Sequence, residues 1–197
     1  MSPHTLKRLV PRSIRLRSKL RWKDGRWRLS TPDRVFLEDV IVPGFLAADG
    51  IRQVLDIGVA WYTRSYPRLF AGVDYWTVDV DPAKERLAGS NHRTLSATRL
   101  TDAFEPGTFD LVVCNGVIGW GLDDQADVAK ALDECAEVMR PGAWLVVGWN
   151  DTEGHRVADL DGLLARRFRR QVFPPVHADH FIPSTGYAHR FDFFTKR

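Results

Sequence analysis

Apolar residues fall into short continuous runs, separated by segments whose apolar positions recur about every 3.6 residues. That alternation is expected of buried strands joined by helices. The segment RVFLEDVIVP, from Arg34, presents one apolar helix face and is closed by Pro43 and Gly44. RQVLDI then reads as a buried strand, TRSYPRLF as a short helix and YWTVDV as a second strand. HRTLSA is a third strand and FDLVVC a fourth. Residues 124–140 form the clearest helix, with acidic caps at Asp123 and Asp124. Val128, Ala131, Leu132, Cys135, Val138 and Met139 lie on one stripe, and Pro141 and Gly142 provide the stop. AWLVVGW is a fifth strand, ADLDGLLARRF a helix, RQVF a further strand and HRFDFFTK an alternating strand near the C-terminus. This order predicts a single α/β domain over residues 31–197, a doubly wound, mostly parallel sheet with helices on both faces.

Composition adds compartment and partners. A chain of 197 residues buries roughly 70% of its unfolded surface in one core without disulfides. Its two cysteines, Cys114 and Cys135, fall in apolar runs, the reading for buried thiols in a reducing compartment. No apolar stretch reaches the roughly 20 residues of a membrane span, so a cytoplasmic protein is expected. Charge is uneven: residues 1–30 hold ten Lys or Arg against Asp24 alone, which makes this N-terminal extension +9 and the remainder −6. Between residues 7 and 28 the cations alternate with Leu9, Ile14, Leu16, Leu20, Trp22 and Trp27. Such a segment suits an anionic membrane surface, with peripheral attachment, or a nucleic-acid backbone. A solvated extension is the alternative.

The chemistry gathers at strand ends. Asp56 and Gly58 close the first strand of the domain, where Gly58 lets the backbone approach a ligand and Asp56 offers a carboxylate. Asp79 ends the second strand, 21 residues past Gly58, a spacing that suits a carboxylate accepting hydrogen bonds from ribose hydroxyls. A nucleoside-containing cofactor follows.

VLDIG, TVDVDP, FDLVVCNGV and VMRPGAWLVVGWN, spread over residues 54–150, together resemble the ordered motifs of the class I S-adenosylmethionine-dependent methyltransferases. The resemblance implies a seven-stranded sheet whose last strand is antiparallel, with S-adenosylmethionine as cofactor. It places Asp56, Ile57 and Gly58 around the methionine part, with Val59, Ala60 and Tyr62 in the same loop. Asp79 would hold the ribose, Val80 would flank the adenine, and Ser96, Ala97 and Thr98 would lie near its exocyclic amine. Cys114, Asn115 and Gly116 would pass beneath the sulfonium. One departure stands out: where many members carry three glycines, this chain reads Gly58, Ala60 and Tyr62. The bulk of Trp61 and Tyr62 argues against a nicotinamide dinucleotide, whose pyrophosphate needs a glycine-rich approach.

Methyl transfer is an in-line displacement, so positioning supplies much of the acceleration and a base is optional. Asn115, Trp120, Trp149, Asn150 and His155 are the candidate acceptor pocket, with His155 the first candidate for a base by position. His177 and His180, with Asp179 between them, have a spacing that could bind a metal, but no third ligand is evident and no metal is expected. The basic cluster around Phe168 suits phosphate or nucleic acid, and a charged helix end explains it equally. Three functions remain: a methyltransferase for a small-molecule or glycan acceptor, an RNA methyltransferase recruited by the basic segment, and a catalytically silent nucleoside-binding module.

Overall fold

The computed structural model describes residues 17–197. The candidate surface residues Lys7, Arg8, Leu9, Arg12, Ile14, Arg15 and Leu16 therefore lie outside the described residues. The described chain opens with a hairpin of β1 (Leu20–Lys23) and β2 (Arg26–Leu29), turned by Asp24 and Gly25, both at positive φ, as a tight two-residue hairpin turn requires. Trp22 and Trp27 oppose each other across it, edge to face. Arg26 and Arg28 instead bury against Glu38, so two of the cations expected to serve an outside partner are spent on an internal ion-pair cluster.

A helical segment follows as α1 (Pro32–Phe36), a π turn (Leu37–Ile41) and α2 (Val42–Leu46). The sequence places the stop at Pro43, yet the helix continues to Leu46. Proline has no N–H and its ring crowds the carbonyl one turn earlier, and the wider π turn relieves that conflict.

The remaining elements are β3 (Gln53–Ile57), α3 (Tyr66–Leu69), β4 (Asp74–Asp79), β5 (His92–Thr94), β6 (Phe109–Asn115), α4 (Gln125–Val138), β7 (Met139–Asn150), α5 (Leu160–Ala165), β8 (Phe168–Arg170), β9 (His180–Phe181) and β10 (His189–Lys196). The sheet runs β5-β4-β3-β6-β7-β10-β8, with β9 also pairing β10, which makes eight strands rather than seven. The additional strand is the two-residue β9. Strands β5 to β7 are parallel, and β10 is antiparallel to all its neighbours. The doubly wound architecture with an antiparallel last strand is therefore present, and the winding reverses between β3 and β6, where such sheets bind ligands.

Two expected boundaries move. Asp124 caps α4 by accepting from the backbone of Ala126 and Asp127, but the helix ends at Val138, and Met139 already pairs with Phe109 as the first residue of β7. The edge strand falls on Phe168–Arg170 rather than on RQVF, because Arg170 is anchored by Asp192 at 2.7 Å while Phe173 turns away into the core.

Side-chain alternation sorts the core onto two faces. Leu55, Ile57, Val112, Cys114, Leu145 and Val147 pack beneath α4 and α5. Val54, Leu111, Val113, Val146, Phe191 and Phe193 pack against the N-terminal helical segment and α3. Covering both faces leaves the carboxyl ends of the strands as the place for a cavity.

Candidate active site

That cavity, about 570 Å³, opens at the strand tips, within the usual range for small-molecule sites. Its wall follows the strand order: Val80, Ser96, Ala97 and Thr98 on the β4 and β5 side, Gly58 and Asn115 in the middle, Asn150 and His189 on the β7 and β10 side. Five aspartates line it (Asp33, Asp56, Asp79, Asp81 and Asp127) against the cations Arg34 and Lys84, a balance that favours a positively charged ligand.

Gly58 leaves β3 at φ +95, and a Cβ there would stand 2.7 Å from Val117 Cγ2. Only glycine meets both conditions without strain. The loop it starts is tied to the next strand, because Val59 N donates to Asp79 Oδ2 at 2.7 Å and Asp81 N to Oδ1 at 2.9 Å. Each carboxylate oxygen keeps a further lone pair for a ligand hydroxyl.

Asp56 sits on the face covered by the N-terminal helical segment and accepts from Tyr75 Oη at 2.7 Å. Burial pushes its carboxyl up to about 7, against the pull of the Tyr75 hydrogen bond and of Arg34. Asn115 rests over Gly148, where a Cβ would stand 2.0 Å from its Oδ1. Its Nδ2 is buried with no partner among the described residues, which suits a ligand that brings an acceptor.

Among the cavity residues that the sequence reading did not name as site candidates are Asp33, Arg34, Tyr187 and His189. Tyr187 Oη donates to Asp33 Oδ1 at 2.7 Å, and His189 Nε2 lies 3.1 Å from Asn115 Oδ1. Burial and the nearby Arg34 hold His189 down to about 4 although Asp33 opposes them, so the ring is neutral near pH 7.

Of the expected cofactor residues, Asp56, Ile57, Gly58, Val59, Ala60, Tyr62, Asp79, Val80, Ser96, Ala97, Thr98, Asn115 and Gly116 line this cavity, and Cys114 does not. Successive strand residues face opposite ways, so Cys114 points into the core beneath α4, where burial pushes its thiol up to about 12. The same alternation separates Asn150, in the wall, from Trp149, whose indole donates to Asp192 on the other face. Trp120 lines the cavity and donates to Asn150 Oδ1 at 2.9 Å. His155 stacks behind Trp120 at 3.7 Å, with Nδ1 on the Gly119 carbonyl at 2.5 Å, and it does not reach the cavity. His180 pairs with Asp179, and no three metal-ligating side chains cluster among the described residues.

Residues 55–147 match a family model described as a methyltransferase domain. That match is consistent with a class I S-adenosylmethionine-dependent methyltransferase. A curated relative, demethylmenaquinone methyltransferase of Desulfitobacterium hafniense (strain Y51), is 32% identical over 75 residues, a match covering 38% of this chain and 30% of the relative. Among solved structures, the N-methyltransferase NodS of Bradyrhizobium japonicum WM9 superposes at TM-score 0.63 with 16% identity, over 85% of this chain and 98% of that one. Its complex with S-adenosyl-L-homocysteine superposes at 0.58 with 18% identity, over 85% and 93% of the two chains. A TehB-like methyltransferase of Corynebacterium glutamicum superposes at 0.61 with 17% identity, over 81% and 88%. The family's cofactor is S-adenosylmethionine, and the wall fits it: an acidic surround for a sulfonium, a glycine where the backbone must approach, and a carboxylate with spare lone pairs at the tip of β4.

Proposed function

We propose that the protein transfers the methyl group of S-adenosylmethionine to a small-molecule or glycan acceptor. The observation that carries this reading is the sequence of groups along one cavity: Asp79 and Ser96–Thr98 toward β4 and β5, and a second polar set of Asp33, Asn150, Tyr187 and His189 toward β7 and β10. When bound, the cofactor supplies an electrophilic methyl on a good leaving group. The chain's residues then orient and enclose. Asp79 accepts from the ribose, Gly58 clears the approach, and the Asn115 amide and the His189 ring fix the acceptor atom.

His189 replaces His155 as the histidine placed to touch the acceptor. With Nε2–H directed at the Asn115 carbonyl oxygen, Nδ1 is left to accept a hydrogen bond. The burial that keeps the ring neutral also makes it a weak base. Its contribution is therefore about tenfold, one hydrogen bond, rather than the 10²–10⁴ of a strong general base. Incubation with methyl-labelled S-adenosylmethionine and panels of amines, phenols and oligosaccharides tests the reading. Label in an acceptor supports it, and no turnover on any class contradicts it.

A second reading concerns the hairpin. Trp22 and Trp27 are 60% and 57% exposed beside the exposed Arg17, Lys19, Arg21 and Lys23, the pairing of aromatic and cation that suits an anionic membrane interface. Co-sedimentation with phosphatidylserine vesicles at physiological salt supports it, and recovery in the supernatant contradicts it. No helix among the described residues is long and apolar enough to cross a membrane.

A further inference from the structure

The two faces of the N-terminal hairpin have different neighbours. Successive strand residues point to opposite sides, so with Arg26 and Arg28 turned to Glu38, Trp27 and its cross-strand partner Trp22 turn the other way. They form one wall of a second cleft, of about 480 Å³. Its other wall is Trp61, Arg64, Pro67 and Arg68, from the loop after β3 and from α3. Two hydrogen bonds set the separation of these walls: Ser65 Oγ donates to the Trp27 carbonyl at 3.1 Å, and Arg68 Nη1 to that of Gly25 at 3.1 Å. Among the described residues, only Tyr62 lines both this cleft and the active-site cavity.

The apolar lining is edged by unmatched positive charge. Arg64 and Arg68 are exposed, and residues 60–73 hold no acid. Arg64 makes no hydrogen bond or ion pair among the described residues. Arg17 reaches Trp61, its Cζ 5.8 Å from the ring centroid. Asp24, the acid at the hairpin turn, faces Arg28 at 3.7 Å. Exposed cations alone are ordinary, but these converge on three tryptophans, two of them more than half exposed. Indole suits a membrane interface, where its ring is buried and its N–H stays wet, and guanidinium is matched to phosphate. A nucleic-acid strand asks instead for a track of phosphate contacts along its backbone, and this cleft is a single compartment.

We propose that the cleft receives the phosphodiester headgroup of an anionic membrane lipid, with Arg64 and Arg68 on the phosphate and Trp22, Trp27 and Trp61 against the glycerol and upper acyl chains. This site rests on the membrane reading of the hairpin and turns a diffuse attraction to charge into a seat for one lipid. A lipid held there sets Tyr62, and with it the active-site cavity, beside the membrane surface.

Co-sedimentation at physiological salt with vesicles of phosphatidylglycerol in phosphatidylcholine tests it. The wild type is retained, and pure phosphatidylcholine retains it far less. Arg64→Gln weakens binding by about 10- to 100-fold, the range for a hydrogen bond to a charged group. Lys19→Gln removes the same charge from the start of the hairpin but outside the cleft, and weakens binding by about fivefold, as for any cation near an anionic surface. Arg64 supports no internal bond, so its variant keeps the wild-type circular dichroism. A loss in Arg64→Gln no larger than in Lys19→Gln overturns the site and leaves the membrane reading standing. Recovery of the wild type in the supernatant overturns both, and retention on oligouridylate in its place assigns the face to RNA. Release from the vesicles by soluble glycerophosphoglycerol identifies a free phosphoester as the ligand and overturns the assignment to a membrane lipid.

Discussion

The backbone N–H of Val59 donates to the Asp79 carboxylate at 2.7 Å, so the loop leaving β3 is pinned by the acid at the tip of β4. One side chain shapes the cradle and, in the proposed reading, also holds the ribose. Asp79→Ala removes both functions and lowers affinity for S-adenosyl-L-homocysteine and 5′-methylthioadenosine alike, each by about 10- to 100-fold. Calorimetry on the two ligands checks this; a loss confined to one of them contradicts it.

Gly58→Ala places a Cβ 2.7 Å from Val117 at φ +95. The expected cost is about 1–3 kcal/mol, or roughly 3–10 °C in the thermal midpoint of a chain of this size. Differential scanning calorimetry without ligand reads it. An unchanged midpoint would mean that the loop adopts another conformation.

Glu38 is the shared partner of Arg26, Arg28 and Tyr66. Glu38→Gln leaves buried Arg26 without its carboxylate and Arg28 with Asp39 as its close anion, which costs about 3–5 kcal/mol. The loss should appear in urea denaturation and as faster amide exchange across residues 20–29. Wild-type exchange in that hairpin would contradict the account of how it docks.

Two buried groups give opposite pH dependences. Asp56 titrates near 7 in the folded state, above the ordinary carboxylate value. Its contribution to stability is present in acid and is lost as pH rises toward about 7. His189 titrates near 4, below its ordinary value. Its contribution is present at neutral pH and is lost as pH falls from about 6.5 to about 4. The two slopes largely cancel over that shared window. Asp56→Asn should therefore leave a stability that rises with pH, and His189→Gln one that falls, each by about 1.4 kcal/mol per pH unit. Urea titrations at pH 4.5 and 6.5 measure both, and identical slopes in the two variants would contradict the assignment.

Much of this site was legible because it lies at strand ends. The buried runs before Asp56, Asp79 and Asn115 fix three tips of one sheet, and Asp124 announces its helix by its cap. Strand alternation, applied strictly, would also have turned Cys114 and Trp149 away from the cavity. Arg34 was hidden for another reason. On an amphipathic segment it reads as a solvated cation, and only the packing of that segment against Tyr62 and Tyr66 makes it a wall residue. His189 depended on register: pairing with Asn150 brings it to the cavity, and no local pattern reports which strand a C-terminal segment will join.

The most direct measurement is the thermal midpoint of the wild type with S-adenosyl-L-homocysteine at 100 times its dissociation constant. The account predicts about 2.7 kcal/mol of added stability, a rise of roughly 5–10 °C. A midpoint that does not move at any concentration of that ligand would contradict it.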